Sequence, residues 1–124
     1  MSKILVIDDD NDLLEVMHSL LSNKGFEVET DSNWESALDK IGAFKPQLII
    51  LDVFLSGIDG LEICKKLKSQ PETRQIPILI FSAYPRVAEK AIYEYEADDF
   101  IAKPFELNDL IQKVHGILSE CVPC

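Results

Sequence analysis

Ile4-Leu5-Val6-Ile7 runs directly into Asp8-Asp9-Asp10-Asn11, and this junction decides the fold. Four consecutive apolar residues, three of them β-branched, suit a short strand buried on both faces rather than one with a wet side. Asp10 or Asn11 can then cap a helix, because a short side-chain oxygen satisfies the free N–H groups of a first turn. Leu13, Leu14, Met17, Leu20 and Leu21 follow with helical spacing, and Gly25 stands where a C-terminal cap belongs. One strand and one helix make the first unit.

The same alternation recurs along the chain. Phe26 to Thr30 reads as a second strand. Ser32-x-x-Glu35 forms a capping box for a helix carrying Trp34, Ala37, Leu38 and Ile41, which ends near Phe44 before Pro46. Leu48-Ile49-Ile50-Leu51 is a third strand closed by Asp52, and Phe54 to Gly60 is a loop rich in turn residues. A third helix buries Leu61, Cys64 and Leu67. After the polar connection from Gln70 to Pro77, Ile78-Leu79-Ile80-Phe81 is a fourth strand closed by Ser82. Pro85 suits the first turn of a fourth helix reaching about Tyr95. Phe100 and Ile101 belong to a fifth strand, and Leu107, Leu110, Ile111, Val114, Ile117 and Leu118 mark a last amphipathic helix. Five strand–helix units predict an α/β domain, a doubly wound five-stranded parallel sheet with helices on both faces.

A chain of 124 residues is expected to be one domain spanning 1–124, with no room for an output module. Its net charge of −10 argues against a nucleic-acid surface, which needs clustered Lys and Arg. No stretch reaches the roughly 18 apolar residues of a membrane span. Met1-Ser2-Lys3 is expected to lead straight into a strand with no signal peptide, and three sparse cysteines are expected of a reducing, cytoplasmic setting. Cys64 falls on an apolar helix face. Cys121-Val122-Pro123-Cys124 matches C-x-x-C but ends the chain instead of opening a helix, which favours an inert thiol pair.

In an open parallel sheet, the carboxyl ends of the strands line one edge, where ligands bind. Asp8, Asp9, Asp52, Ser82 and Lys103 would therefore meet at one crevice. Adjacent carboxylates repel each other and resist desolvation, a conflict that a bound cation relieves. Magnesium takes oxygen ligands and is commonly held by one or two carboxylates plus a phosphate oxygen. A carboxylate can also attack phosphorus and carry the group as an acyl phosphate. In this reading Asp52 is the nucleophile, Lys103 the phosphate counter-charge and Ser82 the hydroxyl that reaches a phosphoryl oxygen.

Ile4-Leu-Val-Ile-Asp8-Asp9, Leu48-Ile-Ile-Leu-Asp52, Gly57-Ile-Asp-Gly60, Ile76-Pro-Ile-Leu-Ile-Phe-Ser82-Ala83 and Ala97-Asp-Asp-Phe-Ile-Ala-Lys103-Pro104-Phe105 together resemble the receiver domains of two-component response regulators. The resemblance covers essentially the whole chain, and it is the set of motifs that carries it. It implies a flavodoxin-like sheet of strand order 2-1-3-4-5. It also implies a stand-alone signalling domain, not an enzyme with a separate substrate, that accepts a phosphoryl group on Asp52. The donor would be a sensor histidine kinase or a histidine phosphotransfer protein, and the output a contact with a downstream protein effector. The resemblance assigns Mg2+ to Asp8, Asp9, Asp52 and the backbone carbonyl of Phe54, and it makes Ser82 and Phe100 a switch pair. Lys103-Pro104 is expected to be cis. The chain is expected to be a monomer or weak homodimer.

Several residues depart from the family pattern. Ser56 stands where many members have proline, and Phe100 replaces the commoner tyrosine. Tyr95-Glu96 takes the place of an Ala-Gly pair, which puts a tight turn before the fifth strand in question. Phe54 and Tyr84, bulky at variable positions, are expected to shield an acyl phosphate from water. Trp34 reads as packing or rim, and His18 and His115 as ordinary helix residues. Tyr93 and Tyr95 form either an exposed patch or one core and one exposed ring. Asp8-x-Asp10 also resembles the haloacid dehalogenase phosphatase motif, with Asp8 as nucleophile, but Asp12 stands where that motif wants threonine or valine. A pseudo-receiver that binds partners without phosphorylation is the third reading.

Overall fold

The computed structural model describes residues 2–55, 58–83 and 85–121. Five strands, β1 (Lys3–Ile7), β2 (Glu27–Asp31), β3 (Leu48–Asp52), β4 (Ile78–Ser82) and β5 (Asp99–Ala102), form one sheet. All four pairings are parallel, and the order is β2-β1-β3-β4-β5. The helices between them are α1 (Asn11–Asn23), α2 (Trp34–Phe44), α3 (Gly60–Ser69), α4 (Pro85–Tyr95) and α5 (Leu107–Cys121). The expected doubly wound α/β architecture, order 2-1-3-4-5, is the one observed.

Alternation along the strands divides the core in two. Ile4, Val6, Leu48, Ile50, Leu79, Phe81 and Ile101 face α1 and α5. Leu5, Ile7, Ile49, Leu51, Ile78 and Ile80 face α2, α3 and α4. The three central strands carry no charged residue from Ile4 to Ile7, from Leu48 to Leu51 or from Ile78 to Phe81, because both faces are covered. Each fully buried aliphatic side chain there contributes about 1.5–3 kcal/mol relative to exposure. Leu61, Cys64 and Leu67 are buried as expected, and so is Trp34. Tyr93 is exposed, whereas Tyr95 packs partly into the core.

The helix starts follow the local chemistry. Asp10 caps α1 by accepting from the N–H groups of Asp12 and Leu13. Asn33, not Ser32, caps α2 and accepts from Glu35 and Ser36. The shift has a cause two residues before Asn33, where the Asp31 carboxylate accepts from the Asn33 N–H and sets that residue at the helix entrance. Gly25 takes a positive φ of 93° after α1. The turn into β5 survives the Tyr95-Glu96 departure because Glu96 itself adopts the left-handed conformation, φ 63°, while the Ala97 N–H reaches the Ala91 carbonyl. In the loop after Asp52, Phe54–Leu55 and Ile58–Asp59 pair as a short antiparallel ladder, a feature the turn-rich composition hid.

A second cluster of contacts fastens the sheet edge opposite the strand carboxyl ends. The Lys68 ammonium, with its side chain nearly buried, donates to the Ile76 carbonyl (2.9 Å) and the Asp98 carboxylate (2.8 Å). The same Asp98 oxygen accepts from the Ile78 N–H (2.8 Å), so one ion pair joins α3, the connection into β4 and the entry to β5.

Candidate functional site

The strand carboxyl ends bring the sequence-selected residues together. Asp8 directly follows β1, Asp52 ends β3, Ser82 ends β4 and Lys103 directly follows β5. Asp8, Asp52 and Ser82 are buried and Asp9 is exposed. The Lys103 ammonium lies 3.0 Å from Asp8 Oδ2 and 3.2 Å from Asp52 Oδ1. Its backbone is held as well, since the Lys103 N–H donates to the Ser82 carbonyl at 2.9 Å. Asp8 Oδ1 accepts from the Asp10 N–H at 3.0 Å, which fixes the carboxylate plane beside the helix start. The Lys103-Pro104 bond is cis, as expected.

Carboxylate oxygens of Asp8, Asp9 and Asp52 all lie within 4.8 Å of one another. Three hard oxygen donors at that spacing suit a small divalent cation. Burial, followed by the nearby Asp8 charge, pushes the Asp52 carboxyl up to about 6, against the partial relief given by Lys103. Burial likewise raises Asp8, although the Asp10 N–H and Lys103 counter it. Burial alone would lower the Lys103 ammonium, but the two carboxylates outweigh it and hold it above the usual lysine value. The site thus keeps a lysine charged beside carboxylates that are costly to leave charged.

Three further residues shape the site: Gly60, which the sequence offered only as part of a motif, and Phe81 and Lys113, which it did not single out. Gly60 donates to the Val53 carbonyl, and a Cβ there would collide with the Asp52 carbonyl oxygen and lie 2.8 Å from the Val53 backbone. The glycine in Gly57-Ile-Asp-Gly60 is therefore required for close approach to the strand that ends in Asp52. The Lys103 ammonium sits 4.7 Å from the centroid of the Phe81 ring. Register makes the contact: Phe81 pairs with Ile101, and Lys103, two residues on, returns to the same face. Lys113 lies 3.3 Å from Asp99 and 5.5 Å from the Phe100 ring centroid, tying α5 to β5 beside the candidate switch aromatic. Phe100 itself is partly buried against the α2–α3–α4 face.

Some expectations fall elsewhere. The Phe54 side chain and all of Tyr84 and Ser56 lie outside the described residues, as do the Cys121 side chain and Cys124. Cys64 is a buried thiol that donates to the Tyr95 carbonyl, and burial pushes it up to about 12, too high for a reactive thiolate. His18 and His115 are exposed helix residues, with His115 tilted against Phe26. Among the described residues, no helix is long and apolar enough to cross a membrane.

Comparison with known proteins matches residues 4–115 to the response regulator receiver domain. Response regulator MprA of Mycolicibacterium vanbaalenii is 36% identical over 122 residues, covering 98% of this chain and 52% of that protein. A response regulator from Chloroflexus aurantiacus superposes with TM-score 0.87 at 37% identity, covering 95% of this chain and 98% of that one. A two-component response regulator from Clostridium difficile gives TM-score 0.89 at 31% identity, with coverage of 99% and 100%. The chain spans about half the length of MprA and of the similarly related ArlR of Staphylococcus aureus.

Proposed function

Because the chain belongs to the receiver-domain family of two-component response regulators, which are phosphorylation-accepting signalling domains, we propose that Asp52 is its phosphoryl acceptor. Response regulators receive such groups from histidine kinases. The donor in this reading is a sensor histidine kinase or a histidine phosphotransfer protein. The observation that carries the proposal is the convergence of Asp8, Asp52 and Lys103 within 3.2 Å contacts at the carboxyl edge of the sheet.

An ionised Asp52 oxygen attacks phosphorus as the P–N bond to the donor histidine breaks. The electron pair leaves on the imidazole nitrogen, which takes up a proton. Lys103 exchanges its hydrogen bond to Asp52 for one to a phosphoryl oxygen, and the Ser82 hydroxyl donates to another. Asp8, Asp9, Asp52 and the Phe54 carbonyl would hold Mg2+, the donor set fitting a hard cation. When bound, the ion neutralises charge on the transferring oxygens. Ser82 and Phe100 then form the switch. The phosphoryl group adds charge and acceptor oxygens that favour one of two packings near α4, β5 and α5, and a downstream protein effector reads the difference. Residues 1–124 act here as one receiver domain.

Intact-mass measurement after incubation with a small phosphodonor and magnesium tests this. One phosphoryl adduct, lost in Asp52→Asn and without magnesium, is expected. A folded protein that takes no adduct, or an adduct carried on Asp8, would overturn it.

A further inference from the structure

We propose that Phe81 is a positioning residue for this phosphoryl transfer, its ring face holding the Lys103 ammonium at the sheet edge where the phosphoryl oxygens arrive. The inference rests on the reading of Asp52 as acceptor and adds a group outside the polar set.

The contact is geometrically sound. An ammonium within about 6 Å of a ring centroid is attracted by the ring quadrupole, and Lys103 Nζ lies 4.7 Å from that of Phe81. The ring is also fixed in place. Phe81 is 2% exposed in a strand covered on both faces, and Phe105 meets it edge-to-face with centroids 5.0 Å apart and planes at 85°. Phe105 lies two residues beyond Lys103, so the segment that delivers the ammonium also braces the ring that receives it.

Lysine needs such a partner because its ammonium is a point charge on a flexible four-carbon stem, with no built-in direction. In the resting site the Asp8 and Asp52 carboxylates direct it. Once Asp52 carries a phosphoryl group, the hydrogen bond to that oxygen must be exchanged. An attraction to the Phe81 ring does not depend on the state of Asp52, so it persists through the exchange and keeps the ammonium within reach. An aliphatic residue at position 81 would keep the core apolar and exert no such pull.

Site-specific replacement of Phe81 by mono-, di- and trifluorinated phenylalanine tests this, because fluorine weakens the negative ring face while leaving its shape nearly unchanged. Phosphorylation by a small phosphodonor with magnesium is expected to slow with each fluorine, by about 3- to 10-fold across the series, and Phe81→Leu should match the slowest member. In NMR spectra of resting protein, the Lys103 ε-methylene protons should lie upfield of other lysines and return stepwise with fluorination. A flat rate across folded variants, or unshifted Lys103 protons in the wild type, overturns the positioning role alone. Wild-type protein with shifted Lys103 protons but no phosphoryl uptake overturns the Asp52 reading, and the positioning role falls with it.

Discussion

At the scale of single residues, Asp52 holds its proton to higher pH than an exposed aspartate because burial and the Asp8 charge both oppose ionisation. A carboxyl whose folded-state pKa is raised binds protons more tightly in the native protein than in the unfolded chain. Its contribution to stability is fully present below about pH 4 and is lost as pH rises to about 6. Asp52→Asn removes the charge and leaves an oxygen for Lys103. It should therefore stabilise the metal-free protein by about 1–2 kcal/mol at pH 7, with the gain shrinking toward pH 4. Denaturant titrations of both proteins at the two pH values check this, and a variant no more stable than wild type at pH 7 contradicts the account. Gly60 is constrained by space instead of charge, since its neighbours leave no room for a side chain. Gly60→Ala should cost about 1–3 kcal/mol and slow phosphorylation by displacing Asp52 and Val53. Gly42→Ala, in open space on α2, should instead gain about 0.5–1 kcal/mol. Melting curves of the two variants separate a crowded glycine from a merely flexible one.

Among the elements, the turn from α4 into β5 carries a cost that its sequence makes visible. Glu96 sits at φ 63°, where a side chain is disfavoured by about 1 kcal/mol and glycine is not. Glu96→Gly is thus expected to raise stability by roughly that amount without altering phosphoryl uptake. A loss of stability would mean that the glutamate side chain contributes more than its backbone strain costs. The Ser32 and Asn33 pair shows why helix boundaries resist sequence reading. Both residues are good caps, and the choice is made by Asp31, whose carboxylate captures the Asn33 N–H. Capping chemistry therefore gave the element correctly and its first residue one position early.

For the whole molecule, strand–helix alternation made the architecture and the polar site legible together. A parallel sheet buries its apolar runs and presents the residues at their carboxyl ends, so Asp8, Asp52, Ser82 and Lys103 could be read from position alone. Phe81 was not legible as a site residue, because an aromatic in a buried strand looks like any core residue until register places Lys103 beside it. Lys68 escaped notice because a helix lysine usually faces solvent, whereas this one is nearly buried against Ile76 and Asp98. Lys68→Met would remove the donor to the Ile76 carbonyl and leave Asp98, which is open to water, with the Ile78 N–H alone among these contacts. A loss of about 1–2 kcal/mol is expected, and hydrogen exchange should rise at both Ile78 and Ala97. A change confined to one strand would show that the clasp is not shared. Trp34, the single tryptophan of the chain, is buried where α2 packs over β1 and β2, while Phe100 lies on β5 at the far edge. β3 and β4 stand between β1 and β5, a separation of roughly 14 Å at the usual spacing. The protein thus carries one tryptophan, placed to register unfolding of the sheet and away from the surface that would change on signalling, whereas Tyr93 and Tyr95 on α4 lie beside that surface. Excited apart from the tyrosines, its emission is expected to report melting and to change little with the switch.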